Sequence, residues 1–246
     1  MKNQESLIGT ILTLKSPEIS EIVSLSGFDW VMIDMEHSTL SLGDVQTIIQ
    51  VINGRMKTIV RIPVNNNVWI KRVLDIGCDG IMVPMVLNRE DASAAVTAAT
   101  YPPGGSRSVG IGRAHKFGLG FNDYLFKQSR DIIVIIQVEH IEGVDNIDDI
   151  LSVEGVGGIF IGPYDLSASL GLTGEVGHEK VQSAIKIVKD KCREEDIPYG
   201  IFGMTPESVK DEIDEGCTFL LCGIDSVIYA QSVTGIVKEL KSPAIS

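Results

Sequence analysis

The segment Asp34-Met35-Glu36-His37 sets two carboxylates and an imidazole within four residues, directly after the largely apolar run Phe28-Asp29-Trp30-Val31-Met32-Ile33. A short buried strand that ends on an acid and is followed three residues later by a histidine brings a carboxylate near a ring nitrogen. Such a pair holds the histidine in one tautomer and tunes it for proton transfer. The competing reading is a loop histidine with an ordinary hydrogen bond. Polar residues recur where other apolar runs stop: Arg61 in Val60-Arg61-Ile62-Pro63, Gln137 and Glu139 in Ile136-Gln137-Val138-Glu139, and Asp165 in Gly162-Pro163-Tyr164-Asp165.

Each of these residues has a chemical and a structural reading. A guanidinium closing an apolar strand is costly without an anion. Arg61 therefore either clamps a carboxylate or a developing enolate oxygen, or pairs with Asp34 or Glu36 on the adjacent strand. Glu139 and Asp165 lie 26 residues apart, about one strand–helix unit, so adjacent strands would present them. Two carboxylates plus waters suit a hard divalent ion such as Mg2+ or Mn2+, with positions left for a substrate bound through two oxygens. Alternatively, Glu139 is a rim acid paired with a cation and Asp165 is the N-cap of a helical turn at 166–168. His115, His140 and His178 fall in loops, and His140 should point away from Glu139. No lysine closes a strand, since Lys57 opens one, and a Schiff-base mechanism needs such a lysine. That absence argues for metal-assisted carbanion chemistry.

The elements that must position these groups follow from periodicity. Short apolar runs predict strands near 7–13, 29–34, 57–62, 80–84, 132–138, 156–161, 198–202 and 218–222. Amphipathic patterns predict helices near 17–26, 41–52, 66–76, 89–98, 120–129, 143–151, 178–195, 205–215 and 225–241. Ser16-Pro17 and Thr205-Pro206-Glu207 read as caps followed by a first-turn proline. Strand–helix alternation implies a parallel sheet. Eight units in 246 residues predict an α/β protein, a single (β/α)8 TIM barrel spanning 1–246 as one domain. Its active site would form at the carboxyl ends of the strands. A doubly wound open sheet is the alternative, but Leu12-Thr13-Leu14-Lys15 lacks the glycine fingerprint expected after its first strand. Residues 100–118, rich in Gly, Pro and basic groups, read as a functional loop, because Arg107 and Arg113 concentrate positive charge in an acidic chain, or else as a surface excursion.

Composition narrows the partners. A formal charge of −12 disfavours nucleic acid and anionic membrane surfaces. No apolar run approaches the roughly 20 residues that span a bilayer. The first five residues lack the layout of a signal peptide. Cys78, Cys192, Cys217 and Cys222 show no metal-finger spacing and read as reduced thiols of a cytoplasmic protein.

Taken jointly, these motifs and Tyr101-Pro102-Pro103-Gly104-Gly105-Ser106-Arg107 resemble the HpcH/HpaI aldolase family, class II pyruvate aldolases on a (β/α)8 barrel. The resemblance implies that Glu139 and Asp165 hold a divalent ion, Mg2+, Mn2+ or Co2+. It implies that Arg61 stabilises an enolate oxygen, that His37 paired with Asp34 transfers protons, and that Gln137 supports the metal shell. Backbone around Gly162, Pro163 and Asp165 would receive the pyruvate carboxylate. The implied reaction is reversible cleavage of a 4-hydroxy-2-oxo acid to pyruvate and an aldehyde. The implied assembly is a homo-oligomer, a hexamer built from dimers with an exchanged C-terminal helix. The chain departs from the family pattern at His140, where a threonine is common, at Phe117, where a tyrosine hydroxyl is lost, and around Gly223-Ile224-Asp225. An acyl-CoA lyase and a non-catalytic ligand-binding barrel are the rival readings.

Overall fold

The computed structural model describes residues 6–241; residues 1–5, read above for targeting, lie outside them. Eight strands run in chain order: β1 (Leu7–Leu12), β2 (Trp30–Asp34), β3 (Lys57–Arg61), β4 (Gly80–Val83), β5 (Ile133–Val138), β6 (Gly158–Ile161), β7 (Tyr199–Gly203) and β8 (Phe219–Ile224). All pairs are parallel, and β8 bonds back to β1, so the sheet is a closed barrel as the periodicity predicts. The helices are α1 (Pro17–Leu25), α2 (Leu42–Ile52), α3 (Asn67–Ile76), α4 (Arg89–Ala99), α5 (Phe121–Phe126), α6 (Ile141–Asp145), α7 (Ile147–Leu151), α8 (Pro163–Ser169), α9 (Glu179–Glu194), α10 (Pro206–Asp214) and α11 (Asp225–Lys241). Ser16 caps α1 through Ile19 N–H, and Ser41 forms a reciprocal capping box with Asp44 on α2.

Two helical expectations change. The stretch 143–151 is broken into α6 and α7 at Asn146, which leaves helical geometry while its Nδ2 donates to Leu87 O at 2.9 Å. The stretch 120–129 is α5 followed by a 3-10 turn over Gln128–Asp131. One helix was unforeseen in extent: α8 begins at Pro163, so Asp165 lies inside its first turn and Gly162 occupies the cap position. Asp165 is therefore not an N-cap.

Strand alternation divides the core in two. One face of each strand packs Val31, Ile33, Val60, Ile81, Val83, Val134, Ile136 and Ile159 against the helices. The other fills the barrel with Ile11, Trp30, Met32, Ile59, Met82, Ile135, Phe160, Phe219 and Leu221. Followed by twos, the inward series end on chemistry: Trp30-Met32-Asp34 on β2, Ile59-Arg61 on β3, Ile135-Gln137-Glu139 on β5.

The barrel seam is latched by a side chain. Asp225, buried at the start of α11, accepts from Thr13 N at 2.9 Å, Leu14 N at 3.0 Å and the Thr13 hydroxyl at 2.7 Å. This ties the last strand–helix turn to the end of β1.

The segment after α4 does not serve the carboxyl rim. It connects a helix to the next strand, so topology places it toward the amino ends of the strands, opposite the site. The Arg107 side chain is fully buried, bonded to Asp75 at 2.8 Å, with its guanidinium 4.5 Å from the centre of the Tyr101 ring. Arg113 donates to Ile76 O at 2.9 Å. The expectation that these cations mark a functional loop is corrected: they fasten the segment onto the end of α3.

Candidate active site

The register of the barrel builds the site. Asp34 and Arg61 are direct partners across β2 and β3. Their side chains meet in a bidentate pair, Nε–Oδ1 2.9 Å and Nη2–Oδ2 2.7 Å, and both are buried. The Asp34 carboxylate also accepts the backbone N–H groups of Glu36 at 3.0 Å and His37 at 3.3 Å. Burial alone would lower the Arg61 pKa, but the Asp34 hydrogen bonds and the neighbouring carboxylates outweigh it and raise it.

This geometry corrects the expected pairing of Asp34 with the His37 ring. The Asp34 oxygens are taken by Arg61 and by backbone. The His37 side chain is 64% exposed, and its Nε2 lies 3.9 Å from Glu36 Oε2. Glu36, not Asp34, is the carboxylate beside the imidazole. The salt-bridge reading of Arg61 is also correct, and it does not compete with a site role: the guanidinium still lines the pocket.

Glu139 follows Gln137 on the same face. Its Oε2 accepts a short hydrogen bond from Gln137 Nε2, and its Oε1 accepts Met85 N–H at 2.8 Å. Met85 has a left-handed φ of 52°, which a non-glycine residue rarely adopts and which is found at functional sites. Gly162 is required beside them. A Cβ there would come 2.8 Å from Glu139 Cβ and 3.0 Å from its Oε2. Gly162 N–H donates to Val138 O and Pro163 has no N–H, so Tyr164 and Asp165 are the first-turn donors left in this stretch.

The electrostatics are those of a crowded acid cluster. Burial, with the Asp34 and Asp165 charges adding to it against Arg61, pushes the Glu36 carboxyl up to about 7. Burial, with Glu36 and Asp165 adding to it against the Met85 N–H, pushes Glu139 up to about 7. Arg61 is the one cation among these groups. Its Nε lies 3.3 Å from Glu36 Oε2, but that N–H is directed at Asp34. Glu36 Oε2 and Gln137 Oε1 are consequently buried acceptors without a hydrogen bond. Among the described residues no group of three or more His, Cys, Asp and Glu side chains is arranged to hold a metal ion. Three carboxylates and two buried acceptor oxygens without a hydrogen bond nonetheless supply the oxygen donors that a hard cation takes.

The pocket above these groups has a volume of about 220 Å³. His37, Arg61, Gln137, Gly162, Pro163 and Asp165 line it. Glu139 lies buried beneath. One contributor escaped the sequence reading, and one was named there without a role. Glu36 stands among the strand-end acids because it shares a face with Asp34, but nothing in the sequence ranks it above its neighbours. Met85 acts through backbone, which residue type does not reveal. The remaining histidines are structural. His140 and His178 cap α6 and α9 through Nδ1, and His115 is buried against Tyr101.

The HpcH/HpaI aldolase/citrate lyase family model matches residues 8–232. A 5-keto-4-deoxy-D-glucarate aldolase from Enterobacter sp. (strain 638) is 35% identical over 243 residues, 97% of this chain and 93% of that one. The crystal structure of an HpcH/HpaI aldolase/citrate lyase family protein from Burkholderia cenocepacia J2315 superposes with a TM-score of 0.93 at 31% identity, covering 97% of this chain and 96% of that one. An HpcH/HpaI aldolase from Desulfitobacterium hafniense DCB-2 superposes with a TM-score of 0.90 at 28% identity, covering 99% and 96%.

Proposed function

The chain belongs to the HpcH/HpaI aldolase/citrate lyase family, and from that premise we propose that it is a divalent-metal-dependent lyase, residues 1–246 acting as one domain. Its reaction is the reversible cleavage of a 4-hydroxy-2-oxo acid to pyruvate and an aldehyde. The observation that carries the reading is the acid cluster at the strand ends. Asp165 adds to the affinity of Glu36 and Glu139 for positive charge, Glu36 adds to that of Glu139, and the one guanidinium among them is already committed to Asp34.

Glu139 and Asp165 would hold the ion, with Gln137 bracing Glu139. When bound, Mg2+, Mn2+ or Co2+ supplies Lewis-acid stabilisation of negative charge developing on the 2-oxo acid. Arg61, held in one orientation by Asp34, presents its charge to the developing enolate oxygen. His37 takes the proton of the 4-hydroxyl in cleavage and returns it in addition, with Glu36 the carboxylate nearest its ring. The first turn of α8 orients the substrate carboxylate.

Two broader readings accompany this one. The enzyme works as a homo-oligomer, supported by the apolar residues that α11 leaves exposed. It works in the cytoplasm, supported by four free cysteines. No helix among the described residues is long and apolar enough to cross a membrane.

The test is exchange of the pyruvate methyl protons in D2O, followed by NMR. Exchange is expected to stop with EDTA and return with Mg2+, Mn2+ or Co2+. Exchange that persists in EDTA would overturn the metal-dependent reading.

A further inference from the structure

The pocket is divided by chemistry. Its polar groups come from the β2, β3 and β5 side and from the first turn of α8: His37, Arg61, Gln137 and Asp165. The opposite wall is Phe202 and Met204 at the end of β7, Ile224 at the end of β8, and the Tyr164 ring. Tyr164 and Phe202 pack with ring centroids 6.3 Å apart at 52°. Tyr164 is 44% exposed and Met204 36%, so this wall offers apolar surface that a ligand can cover.

We propose that the aldehyde taken by this site is uncharged, with a short aliphatic or aromatic chain lying on Tyr164, Phe202, Met204 and Ile224, and not a semialdehyde bearing a second carboxylate. The inference rests on the aldol reading above and narrows its substrate class. Two observations carry it. The wall holds no cation and no amide. The one cation lining the pocket, Arg61, has two of its donors bound to Asp34 and is the group required at the pyruvate end. At about 220 Å³ the pocket also lies below the roughly 300–1,000 Å³ of sites for drug-sized ligands, which favours a short chain.

Butanal and succinate semialdehyde differ at the fourth carbon, methyl against carboxylate, and so make a matched pair. Each is added to pyruvate with Mn2+, and kcat/KM is compared. Butanal is expected to be favoured by about tenfold or more, the scale on which an apolar pocket discriminates. Met204→Arg, which puts a guanidinium on a partly exposed part of the wall, is expected to shift that ratio at least about tenfold toward the semialdehyde. Phe202→Ala is expected to erode the butanal preference by removing wall area. Wild-type preference for the semialdehyde, or ratios unmoved by both variants, would overturn the proposal while pyruvate proton exchange still upholds the aldol reading. Absence of proton exchange would remove that reading and this proposal with it.

Discussion

Arg61 is held by two hydrogen bonds to one buried carboxylate, and that determines what its removal does. Truncation takes away the charge that faces the substrate and also strands Asp34, left with backbone partners alone. An uncompensated buried charge costs about 3–5 kcal/mol. Arg61→Ala is therefore expected to lose pyruvate proton exchange and to lower urea stability by about that amount. Combining it with Asp34→Asn is expected to restore most of the stability and none of the exchange. A single variant as stable as the parent would show that the pair does not hold the strand ends together. The sequence offered both halves of this, clamp and ion pair, as alternatives. The register Asp34↔Arg61 makes them one arrangement. What residue types concealed was the partner of His37. Sequence proximity suggested Asp34, but a guanidinium from the next strand reaches that carboxylate with better geometry than a ring on a turn.

At the scale of elements, the segment between α4 and β5 shows where charge counting misleads. Arg107 and Arg113 are conspicuous in an acidic chain, yet any connection from helix to strand in this barrel arrives at the amino ends. Topology, which the strand–helix order already implied, was the better guide. The segment carries its own pH sensitivity. His115 is buried; its Nδ1 accepts Gly112 N–H at 3.2 Å and its Nε2 lies 3.2 Å from the Tyr101 hydroxyl. A proton on Nδ1 would set donor against donor. Burial lowers the His115 pKa below its ordinary value near 6.5. The unfolded chain then binds the proton first as pH falls. The contribution of His115 to stability is full above about pH 6.5 and declines as pH drops toward the lower folded value. His115→Phe is expected to cost about 1–3 kcal/mol at pH 8 from lost hydrogen bonds. It is also expected to flatten the fall in urea midpoint between about pH 6.5 and 5. An unchanged slope would exclude His115 as the acid-sensitive group.

At the scale of the whole molecule, α11 is held to the barrel at its start by Asp225 and leaves most of its apolar residues exposed. Of its residues only Asp225 is buried, while Ile236 is 58% and Leu240 81% exposed. An apolar face of this kind marks an interaction surface. Val233→Glu with Val237→Glu is expected to reduce the assembly measured by light scattering; an unchanged mass would mean that α11 is not the contact. The barrel itself was legible in the sequence, because strands buried on both faces read as runs of Val and Ile bounded by turn residues. How copies pair was legible only by resemblance, since the same apolar spacing describes a helix packed on its own barrel. The latch of Asp225 on Thr13 and Leu14 has a consequence for biosynthesis. Once β8 meets β1 the sheet has no unpaired edge, so a folded chain offers nothing for strand-by-strand accretion. That protection comes late: the two sides of the seam are over 200 residues apart, as the Ser6–Cys217 hydrogen bond shows. Until the last strand leaves the ribosome, β1 and its neighbours present an open rim, and the period of greatest aggregation hazard is the interval before that seam can close.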